Sequence, residues 1–194
     1  MFFIYSNKKF LKLFEDYTKE DFYLKNNIDS EKLSYLGKGD YGTAYSINNT
    51  GKVLKITSSY SEYEIAKQLI GKSNEYDGFV EFYDAAEING EYYIIGEEVE
   101  EDSRIEDLYY DLSNMLETQG LPMQYLEYFD ESAYEGTWNS EMEHFTSEIS
   151  TINRSYRMLG IEASDLRPEN LGRDKDGNLK AFDIEDRRKE KYRR

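Results

Sequence analysis

The sequence predicts an α+β fold in which a small antiparallel sheet comes first and a mainly helical part follows. Three patterns carry that expectation. The runs Ala44 to Ile47 and Val53 to Ile56 flank Asn48-Asn49-Thr50-Gly51, which reads as strand, turn, strand. Residues 79–88 and 91–99 flank Asn89-Gly90, a dipeptide suited to the tight turn of a hairpin. Between these hairpins and after them, apolar residues recur at helical spacing.

The first such helix starts at Ser61, where Glu62, Ile65, Ala66 and Leu69 share one face. Glu64 points away from that stripe. Ile105 to Leu116 reads as a second helix, and Met142, Phe145, Ile149, Ile152, Tyr156 and Leu159 trace a third. Ahead of the sheet, Phe10, Leu11, Leu13, Phe14 and Tyr17 suggest an amphipathic helix packed on the first part of the fold. The aromatic and acidic stretch Leu121 to Ser140, with Trp138, reads as a loop covering the core and carries no chemistry. The expected organisation is a helical extension over 1–30, a sheet-bearing part over 31–99, a helical part over 100–186 and a basic tail over 187–194.

Chemistry concentrates in Ala163-Ser164-Asp165-Leu166-Arg167-Pro168-Glu169-Asn170, followed after a polar turn by Leu179-Lys180-Ala181-Phe182-Asp183. Two carboxylates and an amide at this spacing can converge on one metal–nucleotide complex. Phosphoryl transfer asks a protein chiefly to hold the nucleophile in line and neutralise phosphate charge. Asp165 suits the acceptor's hydroxyl proton, Arg167 the transferring phosphoryl group, and Asn170 and Asp183 are hard oxygen donors for magnesium. Taken alone, the first segment would also suit a solvated surface turn. Upstream, Leu36-Gly37-Lys38-Gly39-Asp40-Tyr41-Gly42 is a G-x-G-x-x-G motif followed by a strand rather than a helix, which disfavours a dinucleotide fold and favours a glycine flap on a hairpin. Lys55 interrupts an apolar strand, so its ammonium needs an anionic partner. Glu62 is the candidate.

In that order, glycine loop, strand Lys, helix Glu, catalytic loop and metal Asp, the chain resembles the protein-kinase-like superfamily, in particular the short kinases encoded by phages and some bacterial effectors. The resemblance spans about residues 33 to 186. It implies a bilobal fold with a truncated C-lobe, ATP and Mg2+ as cofactors, and a protein substrate, possibly a host protein. By it Gly37, Lys38, Gly39 and Gly42 form the flap over the phosphates, Lys55 contacts the α- and β-phosphates, and Glu62 is its ion-pair partner. Glu97 and Val99 stand in the hinge whose backbone binds adenine. Asp165 corresponds to the catalytic-loop Asp, Arg167 to the basic residue two places on, Asn170 to the second metal ligand, and Asp183 to the Asp of D-F-G. Departures are as telling. Ala163-Ser164 replaces His-Arg, Asp183-Ile184-Glu185 replaces D-F-G, and nothing after Asp186 matches an activation segment.

Composition sets the limits. A chain of 194 residues can bury one useful core, and 19 Tyr with 10 Phe make that core aromatic. No Cys and a single His exclude disulfides, thiol ligands and a histidine metal cluster. The net charge of −16 disfavours general nucleic-acid binding, although Arg187 to Arg194 holds six basic residues against one acidic. No apolar run approaches the roughly 18 residues of a membrane span, and the expected location is the cytoplasm. Three other readings stay open: a pseudokinase-like binding module, AMPylation or small-molecule phosphorylation on the same fold, and an acidic inhibitor imitating DNA.

Overall fold

The computed structural model describes residues 17–130, 138–163 and 166–186. Five antiparallel strands form its main sheet: β1 (Leu33–Lys38), β2 (Gly42–Ile47), β3 (Lys52–Thr57), β4 (Phe82–Ile88) and β5 (Glu91–Glu97), in the order β1-β2-β3-β5-β4. Both hairpin turns form where the sequence places them. Asn89 and Gly90 take φ of 53° and 83°, a left-handed pair that Asn and Gly tolerate.

Alternation along β5 divides the core. Tyr92 and Ile94 face one cluster with Ile65, Leu69 and Phe79, while Tyr93 and Ile95 face the other with Leu54, Ile47 and Phe22. β5 is therefore buried on both faces, as its unbroken apolar run requires. Lys55 pairs in register with Ile94 and Leu54 with Ile95, so the period of two sends Lys55 to the first face. Helix α2 (Tyr60–Leu69) covers that face. Its N-cap is Ser59, whose hydroxyl accepts the Glu62 N–H at 3.3 Å.

The opposite face is closed by α1 (Lys19–Lys25), whose Thr18 and Asp21 form a reciprocal capping box. Phe22 and Tyr23 pack edge-on against Tyr93 at 5.8 and 6.5 Å between ring centroids, and Lys25 pairs with Asp84 at 2.8 Å. The stripe expected from Phe10 to Phe14 lies outside the described residues. Tyr17 departs from that expectation: it precedes α1 and is exposed, because the capping box starts the helix after Thr18.

Two long helices follow, α3 (Arg104–Thr118) and α4 (Ser140–Leu159), burying Leu112, Leu116, Phe145, Ile149 and Ile152 between them and the sheet side. Gly160 ends α4 in a left-handed turn at φ 68°. In the 121–140 stretch, Leu126 is buried and Phe129 stacks on Trp138, matching the core-covering reading; residues 131–137 lie outside the described ones. A second sheet pairs β6 (Leu171–Arg173) with β7 (Leu179–Ala181). It is tied to the chain before β4 by Val80 N–H to Ala181 C=O and Ala181 N–H to Gly78 C=O, at 3.1 and 2.9 Å. Among the described residues no helix is long and apolar enough to cross a membrane.

Candidate functional site

Three elements meet at one ammonium. Lys55 Nζ, from β3, lies 2.9 Å from Glu62 Oε2 on α2 and 2.9 Å from Asp183 Oδ1, two residues past β7. The bond to Asp183 is directed, whereas Glu62 Oε2 forms a close ion pair without an aligned hydrogen bond. Glu64, the other carboxylate of that turn, pairs instead with Lys67 on the helix surface.

A third carboxylate stands in the same place. One carboxylate oxygen from each of Glu62, Asp183 and Glu185 lie within 4.8 Å of one another. In the sequence, Glu185 is marked only as standing where D-F-G has its glycine. Carboxylates this close together cannot all ionise cheaply. Burial pushes the Glu62 carboxyl well above the ordinary range; the Lys55 charge opposes this, while the Asp183 charge and a hydrogen bond with Glu185 add to it. Burial likewise acts to lower the Lys55 ammonium, but the Glu62 and Asp183 carboxylates outweigh it and hold Lys55 charged.

Asn170 ends a single 3-10 turn, Pro168–Asn170, and its carbonyl accepts the Phe182 N–H at 3.1 Å. This backbone bond sets Asn170 beside the residue that precedes Asp183. Asp165 lies outside the described residues. Its neighbour Leu166 is buried, and the Leu166 carbonyl accepts the Tyr109 hydroxyl at 2.6 Å, so α3 holds the backbone next to it. Arg167 is exposed, within electrostatic reach of Tyr109.

The glycines of the flap divide by role. A Cβ on Gly42 would sit 2.4 Å from the Ile56 carbonyl oxygen, so packing against β3 alone demands glycine there. Gly37 and Gly39 have open space where a side chain would be, and Lys38 is exposed. The loop is closed by Gly39 N–H to Gly42 C=O at 2.9 Å and pinned to the end of β3 by Ser58 N–H to Tyr41 C=O, also 2.9 Å.

At the end of β5, the Glu97 amide donates to Glu81 C=O and the Glu98 amide to Gly51 C=O. The Glu97 N–H is thus already used within the protein. Val99 packs directly on Gly172, where a Cβ would come within 2.6 Å of Val99 Cγ2. A cavity of about 700 Å3 lies elsewhere, walled by Gly51, Glu97, Glu98, Glu148, Asp174 and Lys180 among others, and none of Lys55, Glu62, Asn170 or Asp183 lines it. The convergence of titratable groups from remote segments, rather than that cavity, marks the candidate site, because a buried charge cluster is costly to keep.

Neither a scan against models of protein families nor a search of curated proteins returns a match to this chain.

Proposed function

We propose that the chain is an ATP- and magnesium-dependent phosphotransferase of protein-kinase-like, bilobal architecture with a minimal helical lobe, transferring the γ-phosphoryl group to a protein hydroxyl. One observation carries the reading: a strand lysine, a helix glutamate and an aspartate 128 residues from that lysine meet within 2.9 Å. These are the three positions that the order of motifs in the sequence singled out for phosphate binding, its ion-pair partner and the metal.

Lys55 is held charged on the face of the sheet and can exchange a carboxylate for phosphate oxygens. Asn170 and Asp183 would hold magnesium. Their oxygen donors fit a hard cation, and the Asp183 side chain is one-third exposed while Lys55 holds only its Oδ1. Magnesium, when bound, neutralises phosphate charge; the chain's own part is to position. Asp165 orients the acceptor hydroxyl, and the open backbone at Gly37 and Gly39 lets the flap approach phosphates closely.

The test is incubation of purified protein with magnesium, γ-labelled ATP and a cell lysate, with α-labelled ATP in parallel. Label from the γ position on protein, lost in Asp183→Asn, is the expected result. Label from the α position would move the reading to nucleotidyl transfer. No label from either overturns it in favour of a binding module.

A further inference from the structure

Ser61 is wholly buried at the second position of α2, and its hydroxyl has two partners on one distant residue. Its Oγ accepts the Asp186 N–H at 2.7 Å, and its O–H donates to the Asp186 carbonyl at 3.3 Å. A serine inside a helix usually bonds back to a carbonyl one turn earlier. In the first turn that carbonyl belongs to no helix, so the hydroxyl reaches outward. The clasp joins residues 125 apart in sequence.

Its neighbours give the clasp its meaning. Glu62 follows Ser61, Asp183 lies three residues before Asp186, and both carboxylates hold the same Lys55 ammonium. The result is a closed ring through Lys55, Glu62, Ser61, Asp186 and Asp183. Ile184, Glu185 and Asp186 are all buried, so the segment after Asp183 lies packed within the protein.

We propose that Ser61 is a positioning residue of the Lys55 site: by clasping the Asp186 backbone it fixes the Glu62 and Asp183 carboxylates against one ammonium, so the triad stands assembled in the resting chain. This rests on the phosphotransferase reading for its consequence in catalysis, but not for the clasp itself.

Two arms test it. The first needs no nucleotide: equilibrium unfolding of wild type, Ser61→Ala, Lys55→Met and the double variant. If Ser61 acts through the triad, the double variant unfolds about fivefold less readily than the product of the single effects requires, because once Lys55 is gone the clasp has no triad left to hold. The second arm is kinetic. Ser61→Ala lowers kcat about tenfold with the KM for ATP nearly unchanged, and Ser61→Thr, which keeps the hydroxyl, restores part of the loss. Should Ser61→Ala fail to fold, Ser61→Cys, of similar volume and weaker hydrogen bonding, takes its place in both arms. Additive stabilities or an unchanged kcat overturn the proposal. If wild type transfers no phosphoryl group, the unfolding cycle alone decides: coupling upholds the clasp while the phosphotransferase reading falls.

Discussion

Two ionic clusters in this protein each set a basic side chain among carboxylates and are wired in opposite ways. At Lys55, one ammonium pairs with two carboxylates, Glu62 and Asp183, with Glu185 close to both of them, and Glu62 Oε2 is buried without an aligned hydrogen bond. At Arg173, the guanidinium bonds Asp102 at 3.0 Å, Glu148 at 2.9 and 3.3 Å and the Gly177 carbonyl at 2.7 Å. Asp102 is completed by Arg104, and Glu148 by the Leu179 N–H. The second cluster is a fork matched to its acceptors, which fastens the segment between β5 and α3, helix α4 and the β6–β7 hairpin together. The first crowds carboxylates so closely that burial and the Asp183 charge push the Glu62 carboxyl up, an arrangement costly to keep for stability alone. The two clusters thus differ in how their charges are satisfied: the Arg173 fork is matched to its acceptors, and the Lys55 carboxylates are crowded.

The sharpest way to break that comparison is at Lys55. Lys55→Met should lower phosphoryl transfer by two to three orders of magnitude, roughly the loss of a charge that acts in the transition state, while far-ultraviolet circular dichroism stays that of the wild type. Adding Glu62→Gln relieves the uncompensated carboxylate and should recover stability without activity. Activity near wild type in Lys55→Met would place the two clusters in the same structural category.

Arg173→Met should do the reverse. It leaves Glu148 nearly buried without its guanidinium, so urea unfolding should register a loss of about 3 kcal/mol, the scale of breaking a buried pair. The affinity for Mg-ATP should be unchanged in the folded fraction. A weaker loss than that of Lys55→Met in the same assay would show that the fork is not the stabilising cluster.

Third in size is the response to ligand. At a hundred times its dissociation constant, ATP with magnesium should add about 2.7 kcal/mol of stability by mass action, and ATP with EDTA much less. Equal shifts in the two conditions would remove Asn170 and Asp183 from metal binding.

The smallest effect is a pH dependence at Asp102. The Arg104 hydrogen bond, against burial and with Arg173 assisting, holds its carboxyl well below the ordinary value of 3.8. A depressed native pKa contributes stability above the unfolded pKa, which is lost as pH falls. Asp102→Asn should therefore cost about 1 kcal/mol at neutral pH, and the gap from wild type should shrink below about pH 4. A gap independent of pH would mean that the carboxylate charge plays no part.

What could be read from the sequence follows the range of the forces involved. Turn chemistry at Asn48 to Gly51 and at Asn89-Gly90, the stripe from Glu62 to Leu69, and the misplaced charge of Lys55 are local signals. Each was legible because a period or a backbone preference fixes it within a few residues. Gly42 was legible as a glycine but not for its reason, since the carbonyl it must avoid, that of Ile56, comes from the neighbouring strand. Ser61 and Arg173 gave no signal at all, and Glu185 only that it stands where D-F-G has its glycine. Their partners lie across the fold, 125 residues away for Ser61 and 71 and 25 for Arg173, and nothing in the residues adjacent to them announces the pairing.

The sequence by itself determined an antiparallel sheet followed by helices, and that the lysine in β3 needs an anionic partner, because strand period, turn propensity and the cost of a lone charge are properties of short segments. Only the tertiary structure decided which carboxylates share that lysine, which glycine is compelled by packing, and which ion cluster is a matched fork. Those outcomes depend on burial and on distances between segments remote in the chain, where the energy of a charge is set by its surroundings rather than by its neighbours in sequence.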